Sequence, residues 1–346
     1  MLDIDGSFGE GGGQILRSSL ALSLLTGKPF RLRHIRANRK PKPGLRPQHL
    51  MSVRAAAQIG QAKISGDAVG SSTLTFEPGP VTPGRYHFAI GTAGATALVL
   101  HTIYLPLALC GGPSEIVLEG GTHVEKAPCF HFLQTTWRAY LKRLGINISL
   151  EMKRPGFYPR GGGLVVAHLQ PCAAVWPLQL THEVEIKTAT IMSAGAGVPD
   201  HVATRQGRRA MVKLRAAGIP SEVTHEEWEG GPGSVLTVTL DAPVPTLFFG
   251  LGARGKPAEA VADEALDEVL PFLQTKAPVD PHSADQLLLP LCYAAGPSAY
   301  RVSEITPHLT TNAAVIGLFL DREIQIEGEH GKSGVNKVEE RYPISG

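Results

Sequence analysis

Glu10 stands inside the run Gly9-Glu10-Gly11-Gly12-Gly13-Gln14-Ile15-Leu16-Arg17, and Arg17 lies on the apolar stretch that follows. Glycines let a backbone bend closely around a ligand, and the amides at a helix start attract anions. A glutamate carboxylate suits a divalent metal, and a guanidinium fork matches phosphate oxygens. These residues suit an anion and its counter-ion, although a turn joining a strand over 1–4 to a helix would use the same letters. A second candidate is His308, in Thr306-Pro307-His308-Leu309-Thr310-Thr311-Asn312. A neutral imidazole near a helix N-terminus is a competent nucleophile toward bound phosphate, while Thr311 or Asn312 could equally be a simple helix cap. Five cations, Arg36, Arg39, Lys40, Lys42 and Arg46, fall within eleven residues in a loop stiffened by prolines. Such a loop aims its charges at phosphate with less entropy lost on binding, and it reads otherwise as a solvated basic loop.

Three other patterns fail. Gly331-Lys332-Ser333 ends like a phosphate-binding loop, but Ile326 stands where that loop needs glycine. Gly9-Glu10-Gly11 does not continue as a dinucleotide fingerprint, because position 14 is Gln. His123-Val124-Glu125 with Pro128-Cys129 lacks the second cysteine of a zinc deaminase.

The elements that must position these residues repeat along the chain. Helix, glycine and strand recur at Leu22 to Gly27 then 30–32, Leu107 to Gly112 then 116–118, and Leu291 to Gly296 then 300–302. Each glycine suits a helix C-cap. Second helices are expected over 49–59, 132–144 and 312–319, each followed by strands, so the unit reads strand–helix–strand–helix–strand–strand. Gly27 and Gly112 are 112 − 27 = 85 residues apart, whereas Gly112 and Gly296 are 296 − 112 = 184 apart. The excess predicts an inserted α/β domain over 182–278, within a repeat-built domain of 1–181 and 279–346. Its expected elements are strands over 184–191, 221–225, 234–240 and 247–252, with helices over 201–217 and 258–273. Residues 195–199 would be turning backbone at its edge. The fold class expected is α+β.

The chain has 346 residues, a formal net charge of +2 and 18% charged residues, so any nucleic-acid footprint must be a local patch. Its four cysteines are scattered, with no CxxC pair, and read as reduced thiols of a cytoplasmic protein. The longest apolar stretch contains His101 and is too short for a membrane span.

The ordered set of residues 9–17, Ile35-Arg36-Ala37-Asn38-Arg39, Pro43-Gly44-Leu45 with Gln48-His49-Leu50, residues 88–94, Gly156-Phe157-Tyr158-Pro159 with Gly161-Gly162-Gly163, Ala284-Asp285-Gln286-Leu287, and His308 with Thr311-Asn312 closely resembles the RNA 3′-terminal phosphate cyclase family. The resemblance implies three βαβαββ repeats like the C-terminal domain of a translation initiation factor, plus a smaller inserted domain. It implies a ligase that uses ATP to turn an RNA 3′-phosphate into a 2′,3′-cyclic phosphodiester. A covalent histidine–AMP forms first, AMP passes to the RNA phosphate, and the 2′-OH then expels it. Carried over, His308 would be the nucleophile and Glu10 would hold a divalent metal (Mg or Mn). Arg17, Arg36 and Arg39 would bind triphosphate or RNA phosphate, supported by Gln48 and His49. His101, Pro128, His282, Ser283, Ala284, Asp285 and Gln286 would line the nucleotide pocket. Relatives often carry Gln at position 101 and Tyr at position 282, and the loop from Arg39 to Pro43 is slightly longer than in some. The partners implied are RNA 3′-phosphate ends and ATP, with no membrane and no obligate protein partner. Two rival readings use similar folds: an inactive RNA-binding ribosome-assembly factor, which lacks that histidine, and an enolpyruvyl transferase, which forms no covalent AMP.

Overall fold

The computed structural model describes residues 1–39 and 41–340, so Lys40 of the basic loop lies outside the described residues. The first stretch runs β1 (Leu2–Asp5), α1 (Gly13–Thr26), β2 (Phe30–Arg33), α2 (Pro47–Ile59), β3 (Lys63–Ser65) and β4 (Leu74–Glu77). The second runs β5 (Arg85–Ala89), α3 (Thr96–Leu109), β6 (Ser114–Gly120), then a helical stretch and the strands β7 (Ile148–Arg154) and β8 (Gly163–Leu169). That helical stretch comprises α4 (Phe130–Phe132), a π-turn over Leu133–Trp137, and α5 (Arg138–Arg143). A short β9 (Gln179–Leu180) precedes β10 (Ala189–Ala196), α6 (His201–Ala216), β11 (Ser221–Trp228), β12 (Gly233–Leu240), β13 (Thr246–Leu251) and α7 (Ala258–Thr275). The chain closes with α8 (Pro281–Leu291), β14 (Ser298–Val302), α9 (Pro307–Phe319), β15 (Arg322–Glu327) and β16 (Gly334–Glu340).

The strands form four mixed four-stranded sheets, so the architecture is α+β. Three share one plan: β1-β2-β4-β3, β5-β6-β8-β7 and β9-β14-β16-β15. In each, the first pair is parallel and the next two are antiparallel. The fourth, β11-β10-β12-β13, has a different order. Its core, from Ile191, Leu214, Val238, Phe248 and Leu266, is separate from the large core shared by the other three sheets. The strand β9 pairs with β14, so the chain leaves the third sheet after Leu180 and returns to it at Ser298.

Several expectations shift. The strand expected over 184–191 is β10, running 189–196 through the stretch read as turning backbone. It is central in its sheet and buried on both faces over Ser193–Ala196, so small residues replace the alternation that marks a half-buried strand. The strand expected over 221–225 extends to Trp228. Gly27 caps α1 in a left-handed conformation, but Gly111 rather than Gly112 takes that conformation after α3. The helix α8 ends at Leu291 on Cys292, ahead of Gly296, with Pro290 already in its last turn. Among the described residues no helix is long and apolar enough to cross a membrane.

Candidate active site

Three helix N-termini, those of α1, α8 and α9, bring the chemistry together. The helix α9 begins at Pro307, a favoured first residue, with the Thr306 hydroxyl accepting from Leu309 N. His308 therefore sits inside the first turn rather than ahead of the helix, and Thr311 and Asn312 are free for other work. Thr311 Oγ1 accepts from Glu10 N at 3.1 Å, pinning the glycine turn. Gly9 and Gly11 in that turn have φ of +55° and +61°, a region that disfavours side chains. Asn312 receives Ser18 Oγ at 2.6 Å and donates Nδ2 to the Asp285 carbonyl at 2.7 Å, tying α1, α9 and α8.

Gln14, which the sequence reading did not single out, is the hub. Its Nε2 donates to Asp285 Oδ2 at 2.6 Å, which fixes the orientation of the amide. Its Oε1 then faces His308 Nδ1 at 2.7 Å, and Glu10 Oε1 lies 3.5 Å from the same nitrogen. Two acceptors at Nδ1 require the proton there, so Nε2 keeps its lone pair. Burial holds the His308 pKa below its ordinary value, with Arg17 and Arg39 acting in the same direction and Glu10 against them. The ring is thus neutral near pH 7, with a nucleophilic nitrogen.

His49 has the opposite tautomer. Arg46 N donates to its Nδ1 at 3.3 Å, so the proton sits on Nε2. Burial and the charges of Arg17, Arg36 and Arg46 push its pKa down to about 3. A Cβ built on Gly13 would lie 2.4 Å from His49 Nε2 and 2.8 Å from Arg17 Nη1, so a neutral donor and a cation share the space over Gly13. Burial lowers the Arg17 pKa to about 10, which leaves it charged, and no hydrogen bond or ion pair occupies its fork among the described residues. An unspent, desolvated guanidinium beside a helix start is a strong site for phosphate oxygens.

Arg39 Nη2 bonds Glu10 Oε2 at 2.9 Å. Arg36 Nη1 donates to the carbonyls of Lys42 and Gly44, tying down the basic loop. Gln48 Oε1 accepts from Ala95 N at 3.1 Å, joining α2 to the loop before α3.

Behind the histidine a cavity is lined by Gln14, Arg17, His101, Tyr104, Trp137, Asp285 and Gln286, among others. The His101 ring lies 4.9 Å from Trp137, which projects from the π-turn, and burial pushes the His101 pKa down to about 3. His101 Nε2 and Gln286 Oε1 are buried polar atoms without partners. Burial raises Asp285 to about 7, with His282 and Arg17 opposing the shift. Ser283 and Ala284 lie on the buried face of α8, and Ala284 O accepts from Tyr300 Oη. His282 bonds Glu268 of α7; burial opposes its charge, but Glu268, Asp280 and Asp285 raise its pKa to about 9. Pro128, half-buried, lies just ahead of α4 and outside the cavity lining.

A family model described as RNA 3′-terminal phosphate cyclase matches residues 8–326. Relatives of that name include a protein of Ralstonia nicotianae, 42% identical over 96% of each chain. Another, from Trichormus variabilis, is 44% identical over 92% of this chain and 94% of its own. A third, from Thermococcus kodakarensis, is 43% identical over 97% and 98%. The match to the solved enolpyruvyl transferase NikO of Streptomyces tendae covers 62% of this chain and 38% of that one at 16% identity, with a TM-score of 0.29. On the family match and these nearly full-length relatives, the chain belongs to the RNA 3′-terminal phosphate cyclase family.

Proposed function

We propose that this protein converts an RNA 3′-terminal phosphate into a 2′,3′-cyclic phosphodiester with ATP as co-substrate, through His308. The observation that carries the reading is the tautomer of His308. With its proton held at Nδ1 by Gln14, Nε2 attacks the ATP α-phosphorus and pyrophosphate departs. The positive charge left on the ring is spread toward Gln14 and Glu10. An oxygen of the RNA 3′-phosphate next attacks the adenylate phosphorus, breaking the P–N bond and returning the lone pair to Nε2. The 2′-OH then attacks the activated 3′-phosphorus, its proton is lost, and AMP leaves. That closure needs proximity and charge neutralisation more than acid–base chemistry. A DNA end, lacking the 2′-OH, cannot close the ring.

Arg17, the His49 Nε2–H and the open amides of α1 would receive phosphate oxygens, with Arg36 and Arg39 at the rim beside Gln48. The unpartnered His101 Nε2 and Gln286 Oε1 suit a nucleobase edge next to Trp137 and Asp285. His282, Ser283, Ala284 and Pro128 would support that pocket from behind. No group of three or more His, Cys, Asp or Glu side chains gathers as a metal cage among the described residues. The hard oxygens of Glu10 would hold a divalent ion (Mg or Mn), which would supply charge neutralisation at the phosphates.

The shared plan of three sheets supports three βαβαββ repeats like those of a translation initiation factor C-terminal domain. The separate fourth core supports an inserted domain over 182–278, within a repeat-built domain of 1–181 and 279–346. Four free thiols among the described residues support a cytoplasmic location.

Incubation with ATP labelled at the α-phosphate tests the reading. An acid-labile adduct forms on the parent protein and is absent from His308→Ala. Equal labelling of the variant would overturn the nucleophile.

A further inference from the structure

The exposed aromatic side chains among the described residues are Phe8, Tyr158 and Trp176. Trp176 has a structural role, packing within 3.3 Å of where a Gly145 Cβ would stand. Tyr158 has no such explanation: 78% of it faces solvent, on the turn between β7 and β8. The turn is nonetheless rigid. Its neighbour Phe157 is buried and stacks at 5.2 Å on His123, and Gly161 N donates to Phe157 O at 2.7 Å. Arg160 is exposed on the same turn and has no hydrogen bond or ion pair among the described residues.

This turn is joined to the active site by direct contact. A Cβ on Gly161 would lie 2.8 Å from Ala93 Cα and from Thr92 O, so the turn sits on the loop before α3. A Cβ on Gly94 of that loop would lie 2.9 Å from Gln48 Cβ, and Ala95 N bonds Gln48 Oε1. Gln48 precedes His49, which shares the space over Gly13 with Arg17. A chain of direct contacts therefore leads from the proposed phosphate site to a turn that presents one aromatic ring and one unspent guanidinium. Single-stranded RNA is held by that pairing, a base stacked on a ring and a phosphate met by arginine.

We propose that the Tyr158–Arg160 turn binds the RNA strand upstream of its 3′ end, Tyr158 stacking one base and Arg160 meeting a neighbouring phosphate. The inference rests on the cyclase reading for where the 3′ end lies. It predicts that the site reads length rather than sequence, and that it treats RNA and DNA alike, since neither contact uses the 2′-OH.

The test is equilibrium binding of a 5′-fluorescent dodecaribonucleotide 3′-phosphate, followed by anisotropy. The double variant Tyr158→Ala with Arg160→Ala loses about tenfold to a hundredfold in affinity. Tyr158→Phe keeps it, and Arg160→Ala alone lowers the log–log salt slope by about 0.7. A dinucleotide 3′-phosphate, measured by competition, loses less than about twofold in the double variant, because the proposed contacts lie upstream of its two nucleotides. Unchanged dodecamer affinity, or an equal loss for the dinucleotide, overturns the proposal. Adenylation by ATP alone is measured on the same proteins: its absence from the parent protein refutes the His308 reading, whereas the binding result judges this turn independently.

Discussion

Gln14→Met removes the acceptor that fixes the His308 tautomer, together with the donor to Asp285, while keeping side-chain length and helix propensity. In the parent, the Nδ1–H to Oε1 bond is 2.7 Å long and partly buried. Such a bond contributes about 1 kcal/mol net, and stranding its donor costs up to about 3 kcal/mol. Only the Nδ1–H tautomer presents a lone pair at Nε2, so that energy converts into rate at about 1.4 kcal/mol per tenfold. Adenylation is expected to fall by between about fivefold and about a hundredfold. Glu10 Oε1, 3.5 Å from Nδ1, is the remaining acceptor among the described residues and keeps the loss below the upper end. The assay is the initial rate of acid-labile label transfer from α-labelled ATP at saturating nucleotide. Nitrogen NMR of the His308 ring gives a second readout, reporting Nδ1 protonated in the parent and a mixture in the variant. A rate within about twofold of the parent, with an unchanged ring, would refute the reasoning.

The remaining expectations concern charge and space. Arg39 holds the His308 pKa down, so Arg39→Ala should move the acid limb of the adenylation rate upward; a limb that stays put or moves down contradicts the assignment. His49 titrates near 3 when folded and near 6.5 when unfolded. Its depressed pKa contributes stability above about 6.5 that is lost as pH falls toward 3. His49→Gln should therefore flatten part of the Tm decline across that window, as read by thermal melts at stepped pH. Gly13→Ala drives a methyl to 2.4 Å from His49 Nε2 and 2.8 Å from Arg17 Nη1. It should cost about a hundredfold in adenylation while far-UV circular dichroism is retained.

The pattern of the elements was legible because helices and strands leave distinct periods in the sequence. The strand β10 begins five residues later than its pattern suggests, because a strand buried on both faces shows no alternation. The first strand of the third repeat has no sequence signal, because β9 is two residues long and separated from β14 by the whole fourth sheet. Within the site, Glu10, Arg17 and His308 stand out by residue type, whereas Gln14 does not. A neutral amide becomes informative only when Asp285, 271 residues away, fixes its orientation. Likewise Trp137 enters the cavity from a π-turn, which no hydrophobic period announces.

The glycine at position 12 links these observations. Of the three helices that meet at the site, α8 is capped by Asp280 and α9 by Thr306, but no side chain caps α1. A capping Ser, Thr, Asp or Asn is normally worth about 1 kcal/mol, so its absence requires a reason. A Cβ on Gly12 would stand 2.1 Å from Glu10 Oε2, inside the carboxylate. Glu10 can reach Arg39 and His308 together only if position 12 has no side chain, and the same lack leaves the first amides of α1 without a cap. Those amides, with the partial positive charge of the helix end, lie beside the guanidinium of Arg17. One missing side chain thus serves the carboxylate and the anion site at once. Gly12→Ser, which ordinary capping rules would score as stabilising, is expected to displace Glu10 and lower both adenylation and Tm. A stabilised and fully active Gly12→Ser protein would show that the uncapped helix start has no part in binding the triphosphate.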